Sequence, residues 1–410
     1  MTTAMKKLIC LTLAACCGLP ATSLAENNFG EDAAFLKKHS DAQVLQHGEA
    51  RIIVVPQWQG RVMTSTAAGD AGDSYGWINY EAVVKGILPE GQREGIDKHI
   101  HIFGGEERLW LGPEGGQHAI FFEPRQKDYS FANWKTPALI DTDAFEVVRA
   151  DESKMALRKE GVVINNSGTT FRLLLERTVE VLGAGDFVAK VGIEAPEGLK
   201  SIAFETVNTL TNRGEQAWSE QSGMLSIWML GMYKHGPSTN VVIPLKPGEH
   251  KAVNTDYFGE VGPDRLKVKG DLLFFKADGK FRSKIGIPPR RCMDYCGSYD
   301  PDRNTLTVVQ FNLPKDADKL PYVRSQWQHH EHPYQGDVIH SYNDGPPEPG
   351  ADPLGPFYEI ESSSPALPLK PGESMTHIQR TIHFQGEPAK LDIIARKLFG
   401  ISVASIASGL

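Results

Sequence analysis

The chain has 410 residues, of which 40% are hydrophobic and 23% charged. This is the composition of a globular protein and excludes a disordered chain. The formal net charge is −8 and no long basic run occurs, which argues against a nucleic-acid partner.

The first residues have the pattern of a targeting segment. Lys6-Lys7 precedes an apolar run, Leu8–Ala15, that is too short to span a bilayer. Two processing outcomes stay open. Ser23–Ala25 is a small-x-small cleavage site, and Leu13–Cys16 resembles a lipobox that would place a lipid on Cys16. The sequence therefore predicts a signal peptide over residues 1–25 and export, either to the periplasm or to the outer membrane as a lipid-anchored protein.

Cysteine usage agrees with export. Three of the five cysteines lie in the leader, which leaves Cys292 and Cys296 in the mature chain. In an oxidising compartment a local disulfide is the favoured interpretation, and two free thiols are the alternative. A zinc site is less favoured, because two thiolates without a second pair do not complete a tetrahedral ligand set.

Short strands dominate the remaining pattern. Glu31–His39 is predicted to be a first helix or a tether, and Lys390–Phe399 a terminal helix. Met224–Met232 is a buried apolar run. The strands predicted between the two helices are Ala50–Pro56, Gly60–Thr66, His99–Ile102, Ala144–Val148, Met155–Lys159, Val162–Asn165, Phe171–Val181, Val188–Ile193, Ser201–Leu210, Asn240–Pro244, Asp271–Lys276, Thr305–Phe311, Tyr322–His329, Phe357–Ser362 and Met375–Phe384. This spacing predicts an all-β sandwich or barrel, and residues 26–410, which contain no clean linker, are predicted to form one domain.

The stretch His99–Phe122 contains two glycine pairs around charged and aromatic residues. Glycine lets the backbone approach a ligand closely or adopt positive φ. Arg108 provides bidentate hydrogen bonds and Trp110 a flat apolar face, as a sugar site requires. Glu106 and Glu114 are the acidic candidates of this loop. A core tryptophan with a structural ion pair fits the same residues.

Glu359 and Glu361 are the candidates for a general base. They are two residues apart on a predicted strand, so both side chains lie on the same face. Carboxylates that point inward are costly unless they are paired or functional. The alternative is the solvated outer face of an edge strand.

The histidines allow several interpretations. His99, His101 and Glu106 overlap half of a cupin metal motif, and His101 could instead serve as a general acid. The dense cluster at His329–His332 is most simply a solvated loop. No metal and no cofactor are predicted.

Further binding candidates lie in the C-terminal part of the chain. Trp327 is a possible sugar platform. Asp337, Asn343 and Asp344 directly precede the strand that carries the two glutamates, so they could cover the same pocket, although such residues are turn formers by default. The chain has no G-x-S-x-G, no P-loop and no dinucleotide fingerprint, so serine hydrolysis, phosphoryl transfer and hydride transfer have no support.

Several phrases in a fixed order resemble an uncharacterised, DUF6786-like family of exported bacterial proteins, over nearly all of the mature chain. They are GRVMTST, GWINYE, FGGEERLWLGPEGG, TLTN, LSIWMLGM, GDVIHSYNDG and PFYEIESSSPALPLKPGES. At the level of the fold, this family is similar to the galactose mutarotase-like β-supersandwich of aldose epimerases. The resemblance implies a catalytic base at Glu359 or Glu361, with Glu359 preferred. It also implies a histidine acid in mid-chain, but no histidine lies between His118 and His235, so His101 or His330 would have to take that role.

Three functions follow from these observations. The first is a carbohydrate-active enzyme that resembles an epimerase, or a related lyase or hydrolase, with a carboxylate base and a histidine acid. The second is a non-catalytic carbohydrate-binding protein on the same scaffold, and the third is a cupin-like metal enzyme. The first two require residues 99–122 and residues 337–361 to form opposite walls of one pocket.

Overall fold

The computed structural model describes residues 27–347 and 350–410, and the predicted signal peptide and Cys16 lie outside them. The described residues form five α-helices: α1 (Phe29–His39), α2 (Tyr80–Lys85), α3 (Ala184–Val191), α4 (Pro388–Phe399) and α5 (Val403–Ala407). None of the helices in this part of the chain has the length and apolar character needed to cross a membrane.

Eighteen strands account for most of the remaining regular structure in the described residues. The first nine are β1 (Gln43–His47), β2 (Ala50–Val55), β3 (Arg61–Thr66), β4 (Arg108–Gly112), β5 (Glu146–Ala150), β6 (Lys154–Ile164), β7 (Thr170–Val181), β8 (Lys200–Asn212) and β9 (Ser226–Lys234). The others are β10 (Asn240–Pro244), β11 (Leu266–Lys269), β12 (Leu272–Lys276), β13 (Ser283–Ile287), β14 (Tyr295–Asp300), β15 (Thr305–Phe311), β16 (Ile339–Asn343), β17 (Phe357–Ser363) and β18 (Ser374–Gln385).

These strands form three antiparallel sheets, which confirms the predicted all-β class with short terminal helices. The small sheet has the order β1-β2-β3, and a five-stranded sheet has the order β13-β16-β17-β9-β4. A ten-stranded sheet has the order β11-β12-β10-β14-β15-β18-β8-β7-β6-β5. Strands far apart in sequence are neighbours in the five-stranded sheet, so its geometry depends on long-range pairing.

The five-stranded sheet packs one of its faces against the ten-stranded sheet. The Oγ of Ser362 in β17 lies 2.7 Å from Nε2 of His377 in β18. Tyr358, four residues earlier, lies with its hydroxyl 2.7 Å from Ser298 Oγ in β14. Because side chains alternate along a strand, Phe357, Glu359 and Glu361 occupy the opposite face. The sequence predicted this division of β17 into two faces.

Helices cover the other face of the ten-stranded sheet. The apolar stripe of α4, with Leu391, Ile394 and Ala395 fully buried, packs in one cluster with side chains of β15 and β18. Pro388 begins this helix, and Gly400, in the left-handed region at φ 72°, ends it. The layers are therefore helices, ten-stranded sheet and five-stranded sheet, which leaves one face of the five-stranded sheet for a binding site.

Three predicted strands are wrong. His99–Ile102 follows a 3-10 turn, and the backbone N–H of His101 donates to the Asp141 carboxylate instead of to a strand. Val188–Ile193 belongs largely to α3, which ends at Gly192. Tyr322–His329 is irregular, because its backbone pairs with residues 333–335 of the following loop. In each segment the apolar residues suggested a strand, but helix-capping or loop contacts determine the backbone conformation instead.

The favoured disulfide is also not formed. Cys292 and Cys296 are free thiols, and both are buried in the same apolar cluster. The Cys292 thiol donates to the backbone carbonyl of Met293. Burial raises the pKa of both thiols well above the ordinary value, so they are uncharged.

One buried ion pair links the two large sheets. Arg177 in β7 donates to the Glu107 carboxylate at 2.8 Å, and both side chains are fully buried. Arg177 also donates to Asn208 and to the carbonyl of Gly60, while Gln379 donates to the other oxygen of Glu107. The residue after Glu107 begins β4, so this network fixes the edge of the five-stranded sheet on the ten-stranded sheet.

We expect Arg177→Met to lower the free energy of unfolding by about 3–5 kcal/mol, because it leaves the buried Glu107 carboxylate without its counter-ion. Urea unfolding followed by tryptophan fluorescence measures this change. Arg158→Met is the matched control, since its ion pair with Glu146 is exposed. Equal losses of stability in the two variants would contradict the structural role of the buried pair.

Candidate functional site

A cleft lies on the face of the five-stranded sheet that is turned away from the ten-stranded sheet. It encloses about 630 Å³ of empty space, part of which is open to solvent. Strand register sets its floor: Glu359 is opposite Met232 and Tyr342, and Tyr342 is opposite Lys284. Residues directly opposite each other in antiparallel strands share a face, so the charged and aromatic side chains of five strands converge.

Aromatic rings form a large part of the cleft wall. The rings of Phe131, Trp134 and Trp327 stack on one another. The centroids of the Trp134 and Trp327 rings are 5.7 Å apart. Phe131 is 41% exposed and lies at the rim. The other aromatic lining residues are Trp110, Trp228, Phe258, Tyr342 and Phe357. Such flat apolar faces pack against the C–H faces of a sugar ring.

Glu359 is the carboxylate on the cleft floor. Arg108 donates to its Oε1, and the Arg108 guanidinium lies over the Trp110 ring at 4.9 Å. Burial raises the pKa of Glu359 to about 7, and Arg108 limits that rise while the nearby Glu361 adds to it. Glu359 therefore exchanges its proton near neutral pH, as a general base requires.

Glu361 accepts hydrogen bonds from two side chains, whereas Glu359 accepts one. Its Oε2 accepts from the indole of Trp228 at 2.9 Å and from Lys284 Nζ at 3.0 Å. Lys284 also lies 4.6 Å from the centre of the Trp228 ring. His340 Nδ1 is 3.9 Å from the same oxygen, and burial lowers the pKa of His340 well below its usual value. Glu361 thus orients Lys284 within the cleft, while His340 stays neutral.

Glu114 is the second carboxylate that lines the cleft, besides Glu359. The loop that carries Glu114 packs against the backbone just before Trp327. This close contact requires glycine at position 115, since a Cβ there would lie 2.2 Å from the Gln326 carbonyl oxygen. Burial raises the pKa of Glu114, and Lys284 acts in the opposite direction. Glu114 and Trp327 are thereby fixed beside each other at the cleft.

Several buried donors of the lining residues have no partner among the described residues. They are Nε of Arg108, Nε of Arg282, and the indole nitrogens of Trp110 and Trp134. An unpaired buried N–H is costly, so these groups gain most from a ligand rich in oxygen acceptors.

The structure brings together two stretches that the sequence placed on opposite walls. Arg108, Trp110 and Glu114 line the cleft from the first stretch, and Glu359 lines it from the second, with Trp327 beside them. The glutamates do not face bulk solvent, since Glu359 is 7% exposed and Glu361 is fully buried.

Four predicted binding residues have other partners. Glu106 accepts from Ser65 and lies 2.7 Å from His383 Nε2, away from the cleft. Both oxygens of Asp344 are engaged, by the Tyr342 hydroxyl and the Gly355 N–H. The other two positions are Asp337, which accepts from Asn254 and Tyr257, and Asn343, which donates to the carbonyl of Phe281.

The two predicted acids are also outside the cleft. His101 pairs with Asp141 at 2.8 Å and turns away from the cleft, which its neighbours Ile100 and Ile102 line. His330 lies 2.9 Å from the Gln326 carbonyl oxygen. No histidine is among the cleft-lining residues of the described chain.

The cupin-like metal site does not assemble. His99 donates to the Trp134 carbonyl at 2.6 Å, whereas His101 and Glu106 have the separate partners given above. In residues 27–347 and 350–410, no three His, Cys, Asp or Glu side chains converge as metal ligands.

Sequence reasoning missed several lining residues. Trp228 was within a run predicted as buried core. Lys284 is the second residue of β13, which was not predicted, and Arg282 directly precedes that strand. The alternation in SKIGI was a usable strand signal for β13. The position of Trp228 and Lys284 beside Glu361 depends on pairing between distant strands, which a local pattern does not encode.

The chain belongs to the family of unknown function DUF6786, whose model matches residues 27–410. This confirms the family resemblance stated from the sequence. No curated protein matched the chain.

Among solved structures, the chain is similar in fold to galactose mutarotase-like proteins. The Slr1438 protein of Synechocystis sp. PCC 6803 is 13% identical with a TM-score of 0.48, over 84% of this chain and 96% of that one. A galactose mutarotase-like protein from Lactobacillus casei ATCC 334 is 11% identical with a TM-score of 0.47, over 84% and 100%. A galactose mutarotase related enzyme from Lactobacillus acidophilus is 11% identical with a TM-score of 0.42, over 84% and 97%. These values describe a distant likeness in architecture and say nothing of activity.

Removal of the Arg108 charge should raise the pKa of Glu359 further. We expect Arg108→Gln to raise it by about one unit or more, because an adjacent cation stabilises the carboxylate. A ¹³C NMR titration of the glutamate carboxyls measures this, with the Glu359→Gln spectrum to assign the signal. Arg290→Gln, at an exposed position away from the cleft, is the control. An unchanged or lower pKa in Arg108→Gln would rule out the ion pair as the controlling interaction.

Proposed function

We propose that the protein binds a sugar in this cleft and that Glu359 removes a proton from it, as the base of an aldose-epimerase-like reaction. The observation that carries the proposal is the raised pKa of Glu359, about 7, on the floor of an aromatic cleft. A base with a pKa near the working pH transfers protons most effectively. Membership in a family that resembles galactose mutarotase-like proteins supports the same substrate class.

The lining of the cleft supports a sugar over an apolar ligand. Aromatic rings offer packing surfaces for C–H groups, while Nε of Arg108 and the indole N–H groups of Trp110 and Trp134 lack partners that hydroxyl oxygens would supply. A hydrocarbon ligand would leave these donors unsatisfied. The combination is therefore selective for a ring with an apolar face and an oxygen-rich edge.

The reaction requires one base and one acid. Glu359 accepts the proton of the anomeric hydroxyl as the bond between C1 and the ring oxygen breaks, and a second group protonates the ring oxygen, which gives the open-chain aldehyde. Rotation about the bond between C1 and C2, followed by the reverse transfers, closes the ring as the other anomer. Both protons return to their donors, so no co-reactant is needed.

Lys284 is the proposed acid, in place of the histidine expected from the sequence. Its ammonium group lines the cleft and lies close enough to Glu359 to lower the pKa of that carboxyl. Its hydrogen bond to Glu361 fixes its position. His340 is unsuitable because burial lowers its pKa well below the usual value and keeps the imidazole neutral, a much weaker acid than an imidazolium.

A non-catalytic carbohydrate-binding protein is the second candidate function. The observation that favours it is the bond from Arg108 to Glu359, which occupies one oxygen of the base, together with the absence of histidine from the lining residues of the described chain. Such a protein would use the same aromatic walls and donors without proton transfer.

Glu359→Gln should separate the two functions. We expect it to slow anomer interconversion by about 100- to 10,000-fold, the usual contribution of a general base, while sugar affinity changes little. NMR exchange between α and β anomers, over a panel of aldoses, measures turnover, and tryptophan fluorescence measures affinity. Glu249→Gln, an exposed loop position, is the matched control. Binding without any acceleration by the wild-type protein would favour the second function.

The pH dependence of turnover gives an independent check. A general base works only when deprotonated, so we expect kcat/KM to rise with pH and to level off above about 7, the pKa of Glu359. The measurement is the exchange rate from pH 5 to about 9, at constant ionic strength. A profile that falls with increasing pH over this range would be incompatible with Glu359 as the base.

A further inference from the structure

Three cationic side chains line the cleft, and two of them have carboxylate partners. Arg108 is paired with Glu359, and Lys284 with Glu361. The third, Arg282, forms no ion pair or side-chain hydrogen bond with any other described residue. The cleft therefore contains one guanidinium group whose hydrogen-bonding capacity is unused.

Arg282 is held in place despite the lack of a polar partner. Its guanidinium carbon lies 4.0 Å from the centre of the Phe258 ring, which is the shortest cation–π distance among the described residues. Its Nε is buried without an acceptor. A guanidinium stacked in this way keeps its planar set of donors available and loses little further freedom on binding an anion.

The nearby carboxylates do not replace such an anion. Asp344 is already bonded through both oxygens, to Tyr342 and Gly355. Glu114 feels the charge of Arg282 but makes no hydrogen bond with it, and burial raises the pKa of both carboxyls. The hydrogen-bond donors of Arg282 thus remain for a ligand.

We propose that the sugar bound in this cleft is anionic and that its carboxylate or phosphate group pairs with Arg282. A carboxylate or a phosphate matches the geometry of a guanidinium through two parallel hydrogen bonds. Uronic acids and sugar phosphates share this chemistry. This proposal rests on the proposed function, because it assigns the substrate class of the same cleft.

Isothermal titration of matched sugars tests it. The probes are glucose, glucuronate and glucose 6-phosphate, with galactose and galacturonate as a second set, each titrated into the wild-type protein at the same pH and salt concentration. We expect one anionic sugar to bind at least about tenfold more tightly than its neutral partner, since a hydrogen-bonded charge is worth that factor or more. Whether a uronate or the phosphate gains more distinguishes the two sources of the anion.

Arg282→Gln should remove the preference for anionic over neutral sugars, and Arg282→Lys should retain part of it through its charge. Arg290→Gln, an exposed arginine elsewhere, should leave the preference unchanged. If anionic sugars bind no more tightly than neutral ones, or if Arg282→Gln keeps the preference, the proposal is wrong and the proposed function stands. If no sugar of either kind binds, the proposed function itself fails.

Discussion

The burial of two carboxylates on one strand constrains the whole site. Glu359 and Glu361 occupy successive positions on the same face of β17, which lies in the middle of a five-stranded sheet. Ionised groups in such a place are tolerated only with counter-ions at hand. The sheet provides Arg108 from one side and Lys284 from the other. Arg108 and Lys284 lie on the edge strands β4 and β13, so a shift of either edge strand by one residue would turn its cation to the opposite face. Register and charge pairing therefore support each other.

The two carboxylates nevertheless differ in character. Glu361 accepts hydrogen bonds from two donors and has no exposure, so it holds Lys284 in place. Glu359 has one donor and borders the open cleft, so its proton affinity is set mainly by burial. Environment alone thus separates a group suited to proton transfer from one suited to positioning, although both are glutamates on the same strand.

The sequence was informative wherever a property is local. It predicted the alternation of β17, the terminal helix α4, and the two stretches that carry Arg108 and Glu359, because periodicity and turn residues report local conformation. It failed for Lys284, which is 77 residues from the carboxylate it contacts. It also proposed His101 as an acid, but His101 is not among the cleft-lining residues and pairs with Asp141 of a later loop. Pairing of distant segments depends on tertiary packing, which a single sequence does not display.

The Arg177–Glu107 ion pair affects how the molecule unfolds. Arg177 lies in β7 of the ten-stranded sheet and Glu107 directly precedes β4 of the five-stranded sheet, and each is buried with the other as its counter-ion. Partial separation of the sheets would leave two bare charges in an apolar interior, a state of very high free energy. Loosening of one sheet alone is thus disfavoured relative to complete unfolding. The cleft should therefore keep its shape up to the melting transition and then lose it abruptly, without a softened intermediate.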